Sequence, residues 1–216
     1  MTLPPTLPPT LPPTLPPTLP LGILIERAHA AIAGHAEGLT KLDQAIGDGD
    51  HGSNMKRGFD AILAEKATLE ALPPSDALHK AGTILVMKVG GAAGPLYGSL
   101  LMGMGAALKE GADAAGVLDA GIAKVKARGK ADAGAKTMLD VLIPVGEALK
   151  AGADPAKLRA TAERARDATR DMVATRGRAS FLGKRSKGHV DPGAASSCLL
   201  TLAVLDALGD APGEPA

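Results

Sequence analysis

From Leu21 to Leu208 the hydrophobic positions recur three and four residues apart, the spacing of one helix face. Leu24, Ala28, Ile32, Leu39 and Leu42 fall on one stripe and predict a helix over 22–41. A second helix follows His51 and runs to about 65. Leu78, Gly82, Leu85 and Val89 predict a third over 75–88, with Ser75 as its N-cap. Further helices fit 95–109 and 113–128, and Met138, Leu142, Val145 and Leu149 predict one over 136–150. A charged helix over 154–175 opens on Asp154-Pro155, with proline at the first helical position, where its missing N–H costs nothing. The last spans about 192–208. No stretch alternates with period two, so no strand is expected. Eight helices of this kind make an all-α fold packed as an antiparallel bundle.

The first 20 residues break the pattern. Thr-Leu-Pro-Pro occurs four times from Thr2 to Pro17, and nine of the 17 prolines lie here. Such a tract lacks the N–H groups for helix or sheet and favours polyproline II. It reads as a spacer, as a ligand for a proline-binding module, or as a repeat expansion without a role. The expected organisation is a Pro-rich tail over 1–20, a helical domain over 21–210 and a disordered end over 211–216.

Composition narrows the function classes. Aromatic residues are only 1% of the 216, which disfavours a β-sandwich core and removes the stacking platforms of single-strand nucleic-acid binders. A net charge of +1 gives no global pull toward nucleic acid or membrane. The single cysteine, Cys198, excludes an internal disulfide framework and a cysteine-based zinc site. No run of 18 uninterrupted apolar residues and no secretory leader is visible, so a cytoplasmic protein is expected.

The sharpest candidate chemistry is Leu42-Asp43-Gln44-Ala45-Ile46-Gly47-Asp48-Gly49-Asp50-His51-Gly52. Asp43, Asp48 and Asp50 fall within eight residues with no cation between them. At ~5 Å and an effective dielectric of ~20, each like-charge pair repels by roughly 3 kcal/mol. Something positive belongs among them. Hard oxygen ligands without cysteine point to Mg²⁺. An EF-hand starting at Asp48 would need an oxygen ligand where Gly52 stands and Glu where Phe59 stands, so that reading fails. The alternative is a solvated acidic loop. Gly47-x-Gly49-x-x-Gly52 also matches a dinucleotide fingerprint literally, but it follows a helix and its variable positions are acidic.

Two further segments fit phosphate chemistry. Gly90-Gly91-Ala92-Ala93-Gly94-Pro95 leads into a helix, where free backbone N–H groups favour anions; it also reads as a plain tight connection. Arg176, Arg178, Lys184, Arg185 and Lys187 form a basic, glycine-punctuated loop able to close over phosphates or to sit solvated. His51 and His189 lie beside these motifs, whereas His29, His35 and His79 fall in helical patterns. Acidic cluster, Gly-rich helix start and basic loop together suggest Mg–nucleotide binding.

These motifs, with Lys136-Thr137-Met138, Gly177-Arg178-Ala179-Ser180, and Gly188-His189 before Asp191-Pro192-Gly193-Ala194, resemble the nucleotide-binding (DhaL-type) subunits of dihydroxyacetone kinase from about Leu39 to Leu208. The resemblance implies a barrel-like bundle with ADP or ATP at one end. It implies two Mg²⁺ ions held by Asp43, Asp48 and Asp50. His51, Gly52, Ser53 and Asn54 would line the nucleotide, and Ala92 and Ala93 would meet phosphates. Gly129, Met138, Arg178, Asp191, Pro192 and Gly193 would complete the pocket, with Arg178 as the catalytic cation. Many relatives carry Ser at Ala93 and Asp at Ala135, and continue the first helix where this chain has its Pro-rich tract.

Family chemistry is phosphoryl transfer to dihydroxyacetone held on a separate DhaK subunit, with the L subunit as a homodimer. One branch recharges bound nucleotide through a phosphotransferase-system protein, DhaM; the other uses ATP as an exchanged substrate. A non-catalytic Mg–nucleotide-binding regulator is the competing class, supported by Ala93 and Ala135. The related domain of fatty-acid kinases shares the Asp-Gly-Asp loop, but His51 and the Gly188-to-Gly193 segment favour the dihydroxyacetone kinase family.

Overall fold

The computed structural model describes residues 20–209; the expected tails over 1–20, apart from Pro20, and over 211–216 lie outside the described residues. Nine α-helices occur among the described residues, with no strand: α1 (Leu21–Ile46), α2 (His51–Ala64), α3 (Lys66–Glu70), α4 (Pro74–Lys88), α5 (Ala93–Lys109), α6 (Ala114–Gly129), α7 (Leu139–Lys150), α8 (Pro155–Ala168) and α9 (Pro192–Gly209). Two 3₁₀ segments, Thr169–Asp171 and Arg178–Ser186, fill the connection before α9. The eight expected helices are all present. The ninth, α3, is a single short turn between α2 and α4.

Several ends differ from the periodicity. The first helix runs on to Ile46, so Asp43 sits in its last turn rather than in a loop. Ser75 is not a cap, because α4 begins one residue earlier at Pro74 with Pro73 as its N-cap. The long charged helix stops at Ala168 and tightens into 3₁₀ geometry, and α7 starts only at Leu139. Polar caps sit where local chemistry demands them: Asp113 accepts from Gly116 N at 2.8 Å and Asp154 from Lys157 N at 2.7 Å, satisfying N–H groups at the starts of α6 and α8.

Consecutive long helices pack side by side, α2 packs on α4 across the short α3, and α9 returns against α1, which closes a ring of eight. The main core joins Ile32, Leu39, Met55, Phe59, Leu85, Tyr97, Val125 and Leu139, and a second cluster joins Val141, Leu158, Ala194, Cys198 and Leu205. Helix α9 has 18 residues and a mean hydropathy of 1.4, so it is long and apolar enough to cross a membrane. Here it packs between α1 and α8, and its one charge, Asp206, pairs with Arg159 on α8. Its apolarity is that of a helix with core on more than one side.

Glycine replaces aromatic bulk as the packing device. A Cβ on Gly98 of α5 would lie 2.7 Å from Gly82 O of α4, and one on Gly82 would lie 2.7 Å from Gly98 O. The two backbones therefore approach more closely than side chains permit. At Gly34, on the exposed side of α1, nothing lies within 4 Å of an added Cβ. Gly34→Ala should raise stability by roughly 0.5–1 kcal/mol through helix propensity alone. Gly98→Ala should lose roughly 1–3 kcal/mol despite the same propensity gain, because the helices must separate. Chemical denaturation of the two variants checks both signs.

Candidate functional site

Each connection reverses the chain between ring neighbours, so alternate connections gather at one end of the bundle. Residues from the α1–α2, α4–α5, α6–α7 and α8–α9 connections line a single cleft there of about 170 Å³. Four helix N-termini, those of α2, α5, α7 and α9, border it through His51, Ala93, Met138 and Pro192. Their partial positive charges favour an anionic occupant.

The acidic wall comes from the tight turn after α1. Asp43 is buried, while Asp48 and Asp50 are exposed. One oxygen from each of the three carboxylates lies within 4.8 Å of the others. Asp43 Oδ2 accepts from Asp50 N at 2.9 Å and His51 N at 3.1 Å, so backbone dipoles hold the buried carboxylate beneath the exposed pair. The set fits a hard divalent cation: oxygen only, clustered, and rich in negative charge. Arg178 Nε stands 2.8 Å from Asp48 Oδ2 and supplies a positive charge from the protein itself.

His51 faces inward. Its Nε2 lies 2.9 Å from Ser196 Oγ, which lies 2.7 Å from Tyr97 OH. Burial lowers the His51 pKa, opposed by the carboxylates of Asp43 and Asp50, and burial pushes the Tyr97 hydroxyl up to about 12. This buried chain ties α2, α5 and α9 together beneath the cleft. The Gly-rich turn forms a second wall. Gly91 has φ 65°, no side chain caps α5, and a Cβ on Gly94 would lie 2.3 Å from Val89 O. Backbone donors at the start of α5 are thereby left open toward the cleft.

Residues 45–206 match the DAK2 domain. The ADP-binding subunit DhaL of the PEP-dependent dihydroxyacetone kinase 1 of Listeria innocua serovar 6a is 47% identical over 171 residues, covering 77% of this chain and 85% of the relative. The chain belongs to the DAK2 domain family. The DhaL of Escherichia coli (strain K12), the ADP-binding subunit of a PEP-dependent dihydroxyacetone kinase, is 39% identical over 184 residues, 74% of this chain and 83% of that one. The crystal structure of the dihydroxyacetone kinase of C. freundii superposes with a TM-score of 0.73 at 23% identity; it covers 95% of this chain, which spans 38% of that kinase.

Within the DAK2 fold, the cleft brings together Asp43, Asp48, Asp50, His51, Asn54, Ala92, Ala93, Met138, Arg178, Asp191, Pro192 and Gly193. Three expected site residues stand outside its lining. Gly52 packs α2 against α1, where a Cβ would lie 1.9 Å from Ala36 O. Ser53 Oγ donates to Asp50 O at 2.9 Å, on the surface. Gly129 ends α6 beside Leu96. In the basic segment, Arg176 and Arg178 reach the cleft, whereas Lys184, Arg185 and Lys187 do not line it. His29 pairs with Asp60 at 2.8 Å, and His35 hydrogen-bonds its own helix.

Lys136 belongs to the Lys136-Thr137-Met138 motif, but nothing in that motif signals the structural role it plays. It is 1% exposed and adopts φ 61°, a left-handed conformation costing a non-glycine residue roughly 1–2 kcal/mol. Its Nζ donates to Thr169 O at 2.7 Å, Met172 O at 3.3 Å and His189 O at 2.5 Å, and burial lowers its pKa. One ammonium thus joins the segment before α7 to the 3₁₀ turn and to the approach to α9. Asp140 holds the same loop from below, accepting from Gly134 N at 2.5 Å and Thr137 N at 2.7 Å.

Asp191 caps α9, with Oδ2 accepting from Ala194 N at 2.7 Å. Burial pushes its carboxyl up to about 7 from an ordinary 3.8, against the opposing pull of the Ala194 N–H and Lys136. The folded state therefore holds this proton more tightly than the unfolded chain, and the contribution of Asp191 to stability falls as pH rises from about 4 to about 7. Asp191→Asn removes that contribution. In chelator without nucleotide, the melting temperature of the variant should gain on wild type steadily from pH 4 to pH 7. A constant difference across that range would show that Asp191 is ionised throughout.

Proposed function

We propose that this chain is the nucleotide-binding subunit of a dihydroxyacetone kinase, transferring a phosphoryl group from Mg-bound nucleotide to dihydroxyacetone carried by a separate DhaK-type subunit. The observation that carries the reading is the meeting of three converged carboxylates, four helix N-termini and Arg178 in one cleft. The names of relatives 47% and 39% identical, both ADP-binding DhaL subunits, support ADP as the bound nucleotide.

Asp43, Asp48 and Asp50 would hold two Mg²⁺ ions, whose charge neutralises phosphate oxygens and polarises the transferred group. The remaining roles belong to the chain. Backbone N–H groups at Ala92 and Ala93 bind phosphate without a hydroxyl at position 93. Met138 and the Asp191–Gly193 turn hold the nucleoside side of the cleft. His51, Gly52, Ser53 and Asn54 shape the turn beside the carboxylates. Arg178 places a guanidinium where charge develops during transfer, and leaves Asp48 when the cation is bound. Gly129 supports the far edge through the end of α6.

The Listeria and E. coli relatives are named as ADP-binding subunits of a dihydroxyacetone kinase, which supports a partner that supplies the acceptor. The PEP-dependent names of both relatives favour nucleotide recharged in place by a DhaM-type phosphotransferase protein over exchanged ATP. A homodimer and a cytoplasmic location complete the proposal.

Mixed with dihydroxyacetone and ATP, the chain alone should transfer nothing. Turnover should appear when the dihydroxyacetone-holding subunit of the same organism is added with ATP or a phosphotransfer donor. Arg178→Ala should lower that rate by roughly 10²–10³-fold, as loss of one transition-state donor does. It should bind Mg²⁺ alone as well as or better than wild type, since Asp48 loses its competitor. Robust turnover without the second subunit would sink the reading.

A further inference from the structure

The two most exposed large apolar side chains among the described residues both lie at the cleft end of the bundle. Phe181 is 88% exposed and Met87 is 74% exposed. Met87 is the penultimate residue of α4, three residues before the Gly-rich turn, and Phe181 follows Arg178 by three residues. Each is thus close in sequence to a different part of the cleft lining, Gly90 and Arg178, without lining the cleft itself. This chain has only two phenylalanines and one tyrosine, and it spends one of the three on solvent beside its candidate site.

Local looseness does not account for the exposure of Phe181. Its neighbours Ala179 and Leu182 pack on Ile46 at the end of α1. Ser186 is fully buried; its Oγ accepts from Ala174 N at 2.9 Å and donates to Gly183 O at 2.7 Å. Ser180 Oγ donates to Gly177 O at 2.6 Å. The segment is anchored on both sides of the ring that it presents.

Basic residues follow each of them in sequence. Lys88 adjoins Met87, and Lys184, Arg185 and Lys187 follow Phe181; all four are exposed, and none forms an ion pair among the described residues. Apolar anchors inside a polar, charged rim are the anatomy of a protein–protein contact. One aromatic ring makes no stacking track, which disfavours nucleic acid. The acceptor must enter through this mouth, and the cleft must exclude water during transfer.

We propose that Met87 and Phe181, with Lys88, Lys184, Arg185 and Lys187, form the docking face for the protein subunit that carries the acceptor hydroxyl. The complementary surface presents apolar sockets rimmed by carboxylates, and docking seals the cleft. This inference rests on the kinase-subunit reading and adds the location and chemistry of the contact.

The test uses Phe181→Asp and Met87→Asp in the full chain, with the dihydroxyacetone-holding subunit of the same organism. The KM for that subunit should rise about tenfold or more in each variant, as for a truncated interface anchor. The kcat at saturating subunit and the calorimetric Kd for Mg–ADP should stay at wild-type values. Association of the wild type should slow with rising salt, and Lys184→Glu with Arg185→Glu should flatten that dependence. An unchanged KM overturns the proposal. So does a parallel loss of Mg–ADP affinity, which would assign the segment to the nucleotide. Binding of wild type, but not variants, to phosphatidylserine vesicles with KM unchanged would assign the face to a membrane instead. Failure of the underlying reading looks different: wild type with the subunit then transfers nothing.

Discussion

Three carboxylates held within 4.8 Å of one another are the constraint on which the cleft depends. Asp43 cannot retreat, because it is buried in the last turn of α1 and accepts two backbone N–H groups from the turn that carries the other two. The backbone that fixes the cluster is thus the same backbone that its repulsion would open. Arg178 answers part of that repulsion from across the mouth. At 69% side-chain exposure its pair with Asp48 is screened by solvent, so it is a resting place for the guanidinium more than a source of stability.

The bundle delivers everything else to that cluster. A closed antiparallel ring puts alternate connections at one end, and each brings a different tool: carboxylates, open N–H groups, a buried lysine and exposed cations. The ring closes tightly enough because glycine and alanine allow backbones such as those at Gly82 and Gly98 to touch. A chain with 1% aromatic residues obtains a dense core this way, through approach and not through bulk. The exposed Phe181 stands out against that economy.

Much of this was legible in the chain. Helical periodicity located eight helices, because each long helix has one face on the core and the spacing of that face survives in the residues. The Asp43-to-Gly52 turn and the Gly90-to-Pro95 turn were visible because glycine and like charge are local signals. Helix ends were less visible: nothing between Leu42 and Gly47 says that α1 continues past 41, since its continuation is set by burial of Asp43 and Ile46. Lys136 was invisible as an organiser, because its partners are three main-chain carbonyls 33 to 53 residues away. The Tyr97–Ser196–His51 chain was hidden for the same reason, with members 99 and 145 residues apart in sequence.

The claim that the three aspartates are a metal-dependent nucleotide site is tested most directly by melting. Wild type and Asp50→Asn are compared in chelator, Mg²⁺, ADP, and Mg²⁺ with ADP. A ligand at ~100 times its Kd adds roughly 2.7 kcal/mol to the folded state. Wild type should gain on that scale only when Mg²⁺ and ADP are present together. Asp50→Asn should be as stable as wild type or more so in chelator, where repulsion is relieved, and should gain little from the pair. A full Mg–ADP response in Asp50→Asn would contradict the account.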